Sequence, residues 1–218
     1  SAISLVVATG LLEIFLQVCD CSQRGYNSYD SGARLQRLAA IEKLQAQGIE
    51  AYPYIPPSLL REMASLTDSD YFLSNIGNML TVYDNEDDGL IITPTDENGF
   101  RNPEGIYSKT ATFDVFLLGD SFTEGCCVPN GYTITDVIRR TTPLTVYNAG
   151  KNGIGLVHNL AIFIEYGLPK KPSNVILVMP ENLLINRTTV ELGVEQLQKY
   201  YTEHRSNGLI AKSDVKDE

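Results

Sequence analysis

The chain has 218 residues, 43% of them hydrophobic, and a formal net charge of −10 at pH 7, with a sequence pI near 4.7. This length and apolar content suit one folded domain with appendages and exclude a disordered chain. The acidic balance excludes nucleic acid as a partner, because a phosphate backbone is met by a basic face. No phosphate-binding Gly-rich loop of the Gly-x-x-x-x-Gly-Lys-Ser/Thr or Gly-x-Gly-x-x-Gly type follows a strand, so no cofactor is expected.

In chain order, residues 1–19 come first. They contain no Lys, Arg or Asp, and Glu13 is their one charged residue. About 18 mostly apolar residues span much of a bilayer as a helix. We therefore expect residues 1–20 to be a transmembrane anchor, making this a single-pass membrane protein. The rest would lie on the extracytoplasmic, periplasmic side. Glu13 inside the span asks for a neighbour, which makes other membrane-protein subunits the expected partners. A signal-peptide core and a buried soluble helix are the competing readings.

Residues 21–110 read as an N-terminal extension packing on the core. Ala33–Gln47 carries Leu35, Leu38, Ile41 and Leu44 on one side and ends at Gly48, the pattern of a helix with a glycine stop. The prolines in Tyr52-Pro53-Tyr54-Ile55-Pro56-Pro57 force an extended path. Tyr52, Tyr54, Tyr71 and Tyr83 either line a groove or pack the extension onto the sheet domain, and packing is preferred. The acidic stretch Asp84–Gly89 reads as a solvated hairpin turn, with calcium ligation as the alternative.

The apolar run Phe113–Leu118 predicts a buried strand that ends in Gly119-Asp120-Ser121. Two further strand-then-loop units follow. Leu144–Tyr147 runs into Asn148-Ala149-Gly150-Lys151-Asn152-Gly153, and Asn174–Met179 runs into Pro180-Glu181-Asn182. Helical patterns at Thr133–Arg140 and Leu156–Tyr166 separate the strands. Strands alternating with helices imply βαβ crossovers and a parallel sheet. Three strands then deliver a serine hydroxyl, a Gly-rich loop and a side-chain amide to one sheet edge, where ligands of α/β sheets collect. A hydroxyl with hydrogen-bond donors beside it is the inventory of an acyl-transfer site.

These blocks resemble the SGNH (GDSL-type) hydrolases and acyltransferases, in particular membrane-anchored bacterial SGNH-like proteins. Asp96–Pro103 and Glu165–Pro172 add to the likeness, which covers about residues 90–190. The resemblance implies a parallel-sheet, flavodoxin-like three-layer α/β sandwich over residues 111–218. It implies Ser121 as nucleophile, with Gly153 and Asn182 as oxyanion donors. The third block departs from the family pattern, since Pro180-Glu181-Asn182-Leu183 keeps only the Asn. The family's Asp-x-x-His block has no counterpart. The two histidines are His158, inside a helical pattern, and His204, which has Tyr201 where the Asp would stand.

Two functions fit. One is a catalytically impaired accessory or structural subunit of a membrane assembly. The other is a serine esterase, deacetylase or O-acetyltransferase for an acylated glycan or small ester, with its base lying outside these residues. Cys19, Cys21, Cys126 and Cys127 lack Cys-x-x-Cys spacing, and Cys126 and Cys127 are read as buried thiols. No metal site is expected from two isolated histidines. Asn186-Arg187-Thr188 matches a glycosylation acceptor.

Overall fold

A computed structural model describes residues 31–57, 72–84, 89–204 and 206. The architecture is mixed α/β, with two three-stranded sheets. Helix α1 spans Ser31–Gln45, and β1 (Ala51–Pro53), β2 (Leu80–Asp84) and β3 (Leu90–Pro94) form the first sheet. Strand β1 runs parallel to β2, and β2 runs antiparallel to β3 with Asp84 opposite Leu90. The acidic stretch expected to turn lies between β2 and β3 in the sequence, and its residues 85–88 lie outside the described ones. Of the apolar side expected of α1, only Ile41 is buried, while Leu35 and Leu38 are exposed.

The second sheet holds β4 (Val115–Gly119), β5 (Val146–Asn148) and β6 (Asn174–Val178) in the order β5-β4-β6, all parallel. These are the three strands expected from the sequence; β4 and β5 start two residues later and end one residue later than the expected runs, and β6 ends one residue earlier. Helix α2 (Ile106–Lys109) precedes β4, and α3 (Ser121–Glu124), α4 (Ile134–Thr141) and α5 (Leu156–Ile162) lie between the strands. A π-helical turn at Phe163–Gly167 and a 3₁₀ turn at Leu168–Lys170 follow α5. After β6 come α6 (Glu181–Glu191) and α7 (Glu195–Glu203).

Strand β4 is apolar throughout because both of its faces are covered. Phe116 and Leu118 join a core with Tyr147, Ile154, Val157, Ala161, Leu197 and Tyr200, supplied largely by α5 and α7. Val115 and Leu117 pack on the other side with Val146 and with Ile134 and Ile138 of α4. The hydroxyl of Thr133 caps α4 by accepting from the Asp136 amide at 3.1 Å. Strand β6 differs from expectation. Its run of Val175, Ile176 and Leu177 is 44%, 43% and 41% exposed, whereas the other edge strand among the described residues, β5, is buried.

The expected membrane localisation is corrected here. Among the described residues no helix is long and apolar enough to cross a membrane. Helix α1 has 15 residues and carries Arg34, Arg37, Glu42 and Lys43, whereas a span needs about 20 consecutive apolar ones. The expected anchor at residues 1–20 lies outside the described residues.

Candidate functional site

Ser121 opens α3 directly at the carboxyl end of β4. Asp120 is the N-cap, and its Oδ1 accepts the Phe122 amide at 3.0 Å. At the other end Gly125, in the left-handed conformation, returns its amide to the Ser121 carbonyl at 2.9 Å. The turn is therefore pinned at both ends with the serine half-buried at its head. Gly119 is required by crowding. A Cβ there would lie 2.1 Å from Thr123 Oγ1 and 2.2 Å from the Val178 carbonyl oxygen. The Gly119 amide donates to Asn159 Oδ1 at 2.9 Å, and Asn159 Nδ2 donates to the Gly155 carbonyl at 2.8 Å. Thus α5 braces the strand that presents the serine.

The loop after β5 continues the ladder beyond the strand. The Ala149 amide donates to Leu117 O at 2.8 Å and the Lys151 amide to Gly119 O at 3.1 Å. Asn148 Oδ1 accepts the Gly150 amide at 3.0 Å, an Asx-type turn. Gly150 sits against α3, where a Cβ would meet the Glu124 nitrogen at 2.5 Å and Thr123 Cβ at 2.6 Å. Gly153 follows with φ 79°. Asn182 lies in the first turn of α6, just past β6, and its side chain is outside the described residues. The backbones bearing Ser121, Gly153 and Asn182 thus each follow the carboxyl end of one of three neighbouring parallel strands.

His158 is buried in α5, its Nε2 paired with the Leu73 carbonyl at 3.0 Å. Burial pulls its pKa down to about 4, leaving the imidazole neutral. His204 is exposed and ends α7 in a left-handed C-cap, with φ 54°. Burial pushes Asp120 up to about 6, and its Oδ2 has no hydrogen-bond partner among the described residues. Among the described residues no group of three or more His, Cys, Asp or Glu side chains could hold a metal.

Several residues that support the site were given no role by the sequence, although Asp96, Arg101 and Asn102 lie in the Asp96–Pro103 stretch that carries part of the resemblance. Glu124 is fully buried and holds Lys151 Nζ at 2.6 Å. The Glu191 carboxylate, reaching back from α6, accepts the amides of Gly155, Val157 and His158 at the start of α5. Asp96, Arg101 and Asn102 are buried clamps. Asp96 Oδ1 accepts the Asn98 and Phe100 amides at 2.9 and 3.0 Å. Arg101 grips the carbonyls of Gly125 and Val128, and Asn102 pairs with both backbone groups of Asn148. The stretch ahead of β4 therefore locks the turns after β4 and β5 together. Cys126 and Cys127 are half-buried thiols with Sγ atoms 3.4 Å apart, not the fully buried pair expected.

No family model, no curated protein and no solved structure matches this chain.

Proposed function

We propose that the chain is an SGNH-type α/β domain that keeps the serine edge but lacks a histidine to activate it, and that it acts as an accessory subunit. The ligand this edge suits is an acylated glycan or small ester, met by the Ser121 hydroxyl and by donors from the 148–153 loop and Asn182. The placement of the three blocks after β4, β5 and β6 supports the family reading. The observation that carries the impaired reading is His158, buried, neutral and engaged with Leu73 O. An unassisted serine hydroxyl is a weak nucleophile at neutral pH.

One observation favours a serine esterase or acyltransferase as a second reading. The turn bearing Ser121 is fixed from both ends and from α5, as a preorganised nucleophile requires. The test is hydrolysis of p-nitrophenyl acetate by the wild type and Ser121→Ala, with and without added imidazole. We expect equal rates without imidazole and a Ser121-dependent excess with it, because imidazole supplies the missing base. A Ser121-dependent rate without imidazole would favour the esterase. No excess under either condition would remove the acyl site.

A further inference from the structure

We propose that Glu124 and Lys151 form a buried clasp that positions the oxyanion loop against the serine turn, an inference that rests on the acyl-site reading above. Glu124 closes the four-residue helix that Ser121 opens, and Lys151 stands two residues before Gly153. Both side chains are 0% exposed, with Nζ and Oε1 2.6 Å apart.

The carboxylate is saturated. Oε1 accepts from Lys151 Nζ and from the Tyr83 hydroxyl at 3.1 Å. Oε2 accepts from the Tyr54 hydroxyl at 2.8 Å and from the Asn152 amide at 2.7 Å. Four donors match the roughly four lone-pair sites a carboxylate offers. Two of the four come from the loop itself, one through a side chain and one through the backbone. The loop therefore has one seat on α3, and Gly150 lets it approach closely enough to take that seat.

The other two donors come from the first sheet. Tyr54 follows β1 and Tyr83 lies in β2, and their rings stack with centroids 4.3 Å apart. The Lys151 ammonium also lies 5.6 Å from the Tyr54 ring centroid and 5.8 Å from that of Phe100. The first sheet is therefore a wall of the same seat. A buried ion pair is a poor source of net stability compared with an apolar replacement, and its best-attested use is to select one geometry. Here the geometry selected is that of the segment from Lys151 to Gly153.

A clasp that merely ties the two sheets together and a clasp that positions the loop differ in what its loss releases. Hydrogen exchange of the full chain, read by mass spectrometry well below the melting temperature, separates them. In Glu124→Gln we expect amides of residues 150–155 to exchange roughly tenfold faster or more, with β4 unchanged. The imidazole-dependent, Ser121-dependent rate should fall about 100-fold with KM nearly constant, the effect of a misplaced group on chemistry. Unchanged exchange in the loop, or an equal rise across both sheets, overturns the proposal. If Glu124→Gln does not fold, Tyr54→Phe removes one donor and should give the same loop-confined pattern at smaller amplitude. A loosened loop in a protein whose wild type shows no imidazole-dependent rate would uphold the clasp and refute the acyl-site reading.

Discussion

Replacing Lys151 with methionine keeps the unbranched apolar stem, one atom shorter, and removes the charge. Glu124 would then be a carboxylate of zero side-chain exposure holding three neutral donors, Tyr54, Tyr83 and the Asn152 amide. Breaking a buried pair by removing one partner costs about 3–5 kcal/mol. A domain of this size loses about 2–4 °C per kcal/mol, so the melting temperature should fall by roughly 6–20 °C. Glu124→Gln/Lys151→Met removes both charges and should recover part of that loss. The coupling between the two sites would be on the order of 0.5–3 kcal/mol. Scanning calorimetry at pH 7 on the wild type, both single variants and the double variant gives the cycle. A loss below about 1 kcal/mol for Lys151→Met, the size seen for solvent-exposed pairs, would refute the buried clasp.

Gly150→Ala should destabilise by about 1–3 kcal/mol in urea unfolding, since the added methyl overpacks the α3 backbone. Glu191→Ala leaves three amides at the start of α5 without their acceptor. It should cost about 1.5–3 kcal/mol per strong charge-assisted bond lost at most, read by the same unfolding curves. His158 is held near pKa 4 in the fold but titrates near its ordinary value of 6.5 when unfolded. Its contribution is whole above that value and is lost as pH falls toward 4, so His158→Gln should flatten the acid limb of melting temperature against pH. Asp120 has the opposite sign. Its folded pKa is raised to about 6, so its protonated form favours the fold at low pH and that benefit fades as pH rises through 6. Asp120→Asn should therefore raise the melting temperature more at pH 8 than at pH 4.

The three parallel strands were legible because β4 buries both faces and so reads as one apolar run, bounded by Gly119 and preceded by polar residues. The loop after β5 was legible from Asn148, Gly150 and Gly153, whose backbone demands favour those residue types. Helix α3 was missed since four residues give no period. Helix α6 was missed because Leu184, Ile185 and Val190 stay exposed, leaving no clear apolar face to read, and α7 because its nine residues bury only Leu197 and Tyr200. The clasp was invisible for another reason. Tyr54 and Glu124 stand 70 positions apart, and a polar contact made across such a separation leaves no periodicity in either segment. Lys151 stands in the Asn148–Gly153 loop with no role assigned by the sequence, yet it is among the largest fully buried side chains. Tyr54 and Tyr83 pack as preferred over the groove reading, while Tyr71 lies outside the described residues.

Intact-mass measurement of the protein after exposure to p-nitrophenyl acetate decides whether Ser121 belongs to an acyl site that lacks its own base, as proposed. We expect no acetyl adduct on Ser121 at neutral pH without imidazole, and an adduct with imidazole that is absent from Ser121→Ala. Stoichiometric acetylation of Ser121 in plain buffer, followed by turnover, would contradict it.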